Sequence, residues 1–194
     1  IFLALAILAT LMIGVFFKNS YNLVTKIIYG ILVALILIIL NSFYESFKLF
    51  SNSFISNSFT NFFKILILIG TFFVLIITQN FIKDKKINNF EYPLVLLLSV
   101  LGMFIMISAN DLILFYLGLE LQSLALYILA SLDRDNLKSN ESGLKYFILS
   151  ALASGLLLYG CSILYGFTGS TNFEVIGLKA NTDNLGAIFA MVFI

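Results

Sequence analysis

The chain alternates long apolar runs with short polar stretches. Runs free of charged residues cover 1–17, 27–44, 65–82, 92–110 and 146–173, and a further run, 112–132, is interrupted by Glu120 alone. A helix needs about 20 apolar residues to cross a hydrocarbon core ~30 Å thick. Each run is close to that length, and 146–173 exceeds it, so its helix is placed at 146–167, ended by Gly166 and Gly169. The apolar stretch 186–194 starts one more helix. A membrane β-barrel would show short alternating segments with many turns. The pattern predicts an all-α polytopic membrane protein: six transmembrane helices plus the start of a seventh, as a single membrane domain over 1–194. Ile1 and Ile194 both lie inside apolar runs, so the chain is expected to be a fragment of a longer protein.

The connections carry the charge. Segments on alternate sides are 18–26, 83–91 and 133–145 against 45–64, 109–111 and 168–185. The first set holds Lys18, Lys26, Lys83, Lys85, Lys86, Arg134, Lys138 and Lys145; the second holds only Lys48, Lys64 and Lys179. Positive charge concentrates on the cytoplasmic or matrix face, so the first set is predicted to lie inside. Asn110 and Asp111 leave a very short turn, which makes the helices on either side antiparallel neighbours. Asp111 is expected to complement the dipole at a helix N-terminus. At and within 45–64, Phe43 just before it and Phe47, Phe50 and Phe54 inside it would share one face of a helix. The segment reads either as an interfacial amphipathic helix or as low-complexity drift around the repeated Ser-Asn-Ser-Phe at 51–54 and 56–59.

Composition narrows the chemistry. Hydrophobic residues make up 61% and charged residues 11%, with mean hydropathy +1.06, which argues against a soluble domain. A net charge of +1 offers no basic field for nucleic acid. There is no His and no Trp, and Cys161 is the one Cys. No disulfide, no Ser-His or Cys-His pair and no Cys/His metal cluster can be built from this chain. No GxGxxG or GxxxxGK[ST] phosphate loop is present.

Glu120 is the informative exception. It lies ~13.5 Å into its span by helical rise, near mid-membrane. An ionised side chain there costs at least ~2.5 kcal/mol, so it should face the bundle, be paired, or be protonated. Tyr116, Glu120, Ser123 and Tyr127 recur at i, i+4, i+7 and i+11, one polar stripe on an apolar helix. A carboxyl flanked by hydroxyls can hold and pass a proton; the alternative is a structural contact between helices. Lys145 begins the next span, either as a snorkelling interfacial cation or as a charge that acts on Glu120. Ser150/Ser154 and Ala151/Gly155 form small-residue spacings that allow close helix packing. Cys161 is expected to be a small apolar filler.

The stretch Asn110-Asp111-Leu112-Ile113-Leu114-Phe115-Tyr116-Leu117-Gly118-Leu119-Glu120-Leu121-Gln122-Ser123 resembles helix 5 of the antiporter-like membrane subunits of respiratory complex I. The stretch 141–166, with Lys145-Tyr146-Phe147-Ile148-Leu149-Ser150-Ala151 at its start, is similar to the subunit 2 (subunit N) branch of that family. Residues 57–64, ending in Phe62-Phe63-Lys64, resemble the start of helix 3, although an acid often stands in the family where this chain has Asn57. The resemblance runs in order along the whole chain. It implies an N-terminal fragment of a proton-translocating subunit of NADH:quinone oxidoreductase. Glu120 matches the family's helix 5 glutamate and Lys145 its helix 6 lysine; further lysines of the relay would lie beyond Ile194. The resemblance implies no cofactor in this chain, with NADH, FMN, iron–sulfur clusters and quinone held by partner subunits. Its partners would be other membrane subunits and the lipid bilayer, not nucleic acid, in a bacterial cytoplasmic or mitochondrial inner membrane. The rival readings are a secondary cation/proton antiporter subunit and a purely structural membrane subunit.

Overall fold

A computed structural model describes residues 1–17, 20–84, 90–179 and 185–193. Its order is α1 (Phe2–Phe16), α2 (Ser20–Asn41), β1 (Phe47–Leu49), β2 (Phe54–Ser56), α3 (Ser58–Asp84), α4 (Glu91–Ser108), α5 (Leu112–Ala130), α6 (Leu137–Thr168), α7 (Phe173–Lys179) and α8 (Leu185–Phe193). Five of these, α2 to α6, are long and apolar enough to cross a membrane, and α1 is a shorter apolar helix. The predicted polytopic helical architecture is therefore observed. Of the expected termini, α1 has 15 residues and α8 has 9. Lys18, Lys85, Lys86 and the stretch 180–184 lie outside the described residues.

Helix boundaries depart from the apolar runs for local reasons. The predicted 65–82 becomes α3, which starts at Ser58, because Thr60 Oγ1 donates to Asn57 O and accepts from Asn57 N, closing its first turn. The predicted 146–167 becomes α6, which starts at Leu137, where Asn136 accepts from the Lys138 amide and caps the helix. At its other end Gly169 takes φ 69°, the left-handed conformation that stops a helix, one residue beyond Thr168. Lys179 Nζ donates to Thr168 O at 2.9 Å and satisfies a carbonyl there. Segment 45–57 is neither an amphipathic helix nor shapeless: β1 and β2 form an antiparallel hairpin in which Lys48 pairs with Ile55. Phe50, Ser51 and Asn52 all have positive φ at its tip, so no helical phenylalanine face forms.

One core cluster joins α1 to α4 around Val24, Ile28, Leu32, Leu68, Leu97 and Val100, all fully buried. The tightest helix pair is α4–α5. A Cβ on Gly102 would meet the Gln122 backbone nitrogen at 2.6 Å, and one on Gly118 would meet the Met106 nitrogen at 2.7 Å. Main-chain contact of this kind requires glycine. The small-residue spacing noted on α6 does not serve this purpose within the described residues: nothing lies within 4 Å of a Cβ on Gly155.

The turns on one face are tied together. Asn110 N donates to Ser53 O at 2.7 Å, and Asn110 Nδ2 to Asn52 O at 3.0 Å. Leu112 N donates to Thr171 O and Phe173 N to Asn110 O. Lys48 and Glu174 form an ion pair at 3.4 Å. Segments 45–57, 109–111 and 169–174 thus share a face, here called the hairpin face. At the opposite face Arg134 and Glu91 pair at 2.8 Å. The predicted grouping of 45–64, 109–111 and 168–185 is seen in these ties, and 83–91 meets 133–145 through Glu91 and Arg134; part of 18–26 lies outside the described residues.

Candidate functional site

Helix α5 is set by its ends. Asp111 accepts from the Ile113 and Leu114 amides at 2.9 and 3.4 Å, which is an N-cap, and also accepts from Thr171 Oγ1 at 2.5 Å. This is the dipole-complementing role expected of it. Gly118 fixes the face turned to α4, while Ile113, Leu117, Leu124 and Ile128 are exposed. Between these faces lies the polar stripe. Tyr116, Glu120 and Ser123 are half-buried and Tyr127 is buried.

Glu120 Oε1 is buried and makes no hydrogen bond to any described residue. Tyr116 neighbours both Glu120 and Ser154 of α6. Ser123 Oγ is turned inward along its own helix and donates to the Glu120 carbonyl at 3.0 Å. Tyr127 donates to Ser150 Oγ across to α6 and packs edge-on against Tyr146 and Phe147, with ring centroids 4.9 and 5.7 Å away. The stripe therefore divides: Tyr116 belongs to the carboxyl's surroundings, while Tyr127 fastens α5 to α6.

Lys145 is not brought to Glu120. Because α6 begins at Leu137, Lys145 lies within the helix; its side chain is 67% exposed and its ammonium pairs with Glu141 at 2.5 Å, one turn earlier. Cys161 is buried against Leu164 and Ile176, as a small apolar filler. It also lines a cleft with Leu112, Thr171 and Tyr165 toward the hairpin face, apart from Glu120. Among the described residues no cluster of His, Cys, Asp or Glu could hold a metal ion.

One charged residue escaped the sequence reading. Lys64, counted there as a loop cation, lies in the second turn of α3 and is only 7% exposed. Its Nζ sits 5.5 Å from the centroid of the Phe54 ring on β2. The spacing Thr60-Lys64-Leu68 held the signal, since residues four apart share a helix face.

This arrangement coincides with a clear pattern of relatedness. Over 100% of its length the chain is 53% identical to NADH-quinone oxidoreductase subunit N of Pelagibacter ubique and 48% identical to that of Bartonella bacilliformis. Along its whole length the chain is similar to subunit N of NADH-quinone oxidoreductases. Residues 109–194, which include α5 and α6, match the family described as NADH:quinone oxidoreductase/Mrp antiporter, TM. Among solved structures, a chain of respiratory complex I from Thermus thermophilus superposes with a TM-score of 0.81 at 26% identity, over 99% of this chain. The chain spans about two fifths of the subunit N sequences it matches, 41% and 40% of their lengths.

Proposed function

We propose that the chain works as part of a proton-translocating membrane subunit of NADH:quinone oxidoreductase. The observation that carries this reading is Glu120: an acid near mid-span whose Oε1 is buried without a hydrogen-bond partner among described residues. A buried carboxylate oxygen without a partner is open to gain or release a proton, and intramembrane acids mark ion paths. Tyr116 is the group placed to exchange a proton with it, and Ser123 and Tyr127 support the helix around it. Lys145 would act from the edge of the site, through a change in its pairing with Glu141.

On this reading α1 is the first of six spans and α8 opens a seventh. The chain supplies no redox chemistry; NADH, FMN, iron–sulfur clusters and quinone belong to partner subunits of the complex. The exposed apolar faces of α3, α5 and α6 meet lipid and those membrane subunits. The membrane is a bacterial cytoplasmic or mitochondrial inner one, with Arg134 on its inner side.

The test is Glu120→Gln in the assembled complex. Proton uptake driven by NADH oxidation in sealed vesicles falls several-fold, while the amount of complex is unchanged. Wild-type pumping in that variant overturns the assignment and favours a structural Glu120. A secondary cation/proton antiporter is the second reading, since the matched family description names both classes. Sodium or proton exchange by this chain's complex without NADH oxidation would select it.

A further inference from the structure

Lys64 is the charged member of the buried set among the described residues. Around it on the hairpin face lie Ser56, Thr60 and Asn61, exposed by 3%, 8% and 3%. Ser56 Oγ donates to Asn61 Oδ1 at 3.1 Å, and Asn61 Nδ2 donates to Ser42 O at 3.2 Å, so the hydroxyl and amide are already engaged. Ser108, at the end of α4, is 1% exposed and its Oγ has no partner among described residues. It lies next to Ala109, which bridges to Phe54, the residue whose ring covers Lys64. One turn further along α3 comes Leu68, which is fully buried, followed by Thr71, whose hydroxyl donates back to Leu68 O. Lys64 is thus the charged side chain of this face of α3 where it enters the core.

Among the described residues no carboxylate pairs with it. The described ion pairs are Lys48–Glu174, Arg134–Glu91 and Lys145–Glu141. The elements packed on α3 are α2, α4 and β2. Their charged and titratable groups are Tyr21 and Lys26 on α2 and Glu91 and Tyr92 on α4, toward the ends of those helices opposite the hairpin, and Tyr29 near the middle of α2, whose ring packs on Phe72 of α3; β2 carries none. Burial penalises an ammonium, and a ring face stabilises it. At Nζ these two effects oppose each other, with no fixed anion among the described residues to decide between them. An arginine in that place would stay charged, whereas a lysine can release its proton.

We infer that Lys64 is a second proton-exchanging group of the subunit. It passes a proton between the interior of the bundle and water at the hairpin face, holding it at Nζ with the Phe54 ring as the cover over the charged form. The inference rests on the proton-translocating reading, because it needs a proton current past α3. It adds a site separate from Glu120, on a different helix and near one membrane face.

The experiment uses the whole complex in sealed vesicles and reads protons moved per NADH oxidised, with assembled complex quantified in parallel. Lys64→Arg keeps the charge and Lys64→Met removes it. Exchange at Lys64 predicts that both lose pumping to a similar degree. Wild-type pumping by Lys64→Arg would reduce the residue to a fixed cation that pins the hairpin, and wild-type pumping by Lys64→Met would remove any role. Either result overturns the inference, while a persisting defect in Glu120→Gln shows that the broader reading still stands. Should the Lys64 variants fail to assemble, Phe54→Leu leaves the lysine in place and strips its cover. Its pumping-against-pH curve is then displaced from wild type; a superimposable curve overturns the inference.

Discussion

Tyr127 was nominated by its spacing from Glu120 and Lys145 by its place at the start of the next span and by family resemblance, and the structure gives them different work. The Tyr127 hydroxyl is bonded to Ser150 in a buried contact between helices. Removing it in Tyr127→Phe should destabilise the subunit by about 1 kcal/mol, the usual net worth of such a bond, with pumping per assembled complex retained. A thermal melt of the purified complex beside a pumping assay checks both halves. Lys145, with an exposed side chain paired to Glu141, contributes little to stability: Lys145→Ala should shift it by no more than ~0.5 kcal/mol. A fall in pumping at unchanged melting temperature is therefore the expected mark of a role in charge movement. Glu120 was legible from the chain because a carboxylate inside an apolar run stands out. Lys64 was not, because it stands one residue before an uncharged run and looks like that run's boundary. Its burial comes from the hairpin folding over the start of α3, a contact no local pattern encodes.

At the scale of elements, the apolar runs located the helices but not their ends. Polar residues such as Ser58, Thr60 and Ser139 extend α3 and α6 beyond the hydrophobic window, since capping groups satisfy the first-turn amides whatever the hydropathy. The glycines show the same limit. Gly155 and Ala151 had the spacing of a packing motif, but close approach occurs between Gly102 and Gly118. Spacing tells which residues share a helix face; it does not tell which face meets a neighbour. Gly118→Leu should then cost about 1–3 kcal/mol or more through overpacking against the α4 backbone. The measured yield and melting temperature of the assembled subunit should both drop. Gly155→Leu, with open space around its Cβ position, should leave α4–α5 packing unaffected.

For the whole molecule, the decisive feature is that three separated turns are stitched into one face by Asn110, Asp111 and Thr171. This predicts a definite labelling pattern. In a Cys161→Ser background, Ser51→Cys and Asp135→Cys should react with a membrane-impermeant maleimide from opposite sides, with position 135 on the cytoplasmic or matrix side. Labelling of both from one side would contradict the alternation of the spans. The same stitching keeps the cleft around Cys161 and the buried start of α3 on one side of the molecule, away from the charges at Arg134 and Glu91.

Hydropathy alone determined that this is a membrane protein of long helices, which turns share a side, and that Glu120 is out of place. These follow from one-dimensional physics, because lipid accepts only long apolar segments whose backbone is bonded within the helix. Tertiary structure decided the rest: that 47–56 is a hairpin, that α4 and α5 meet through glycine, that Lys145 faces outward and that Lys64 faces in. Each of those depends on which surfaces of separate segments come to lie against one another, and burial of a side chain is a property of that contact rather than of the residue's place in the chain.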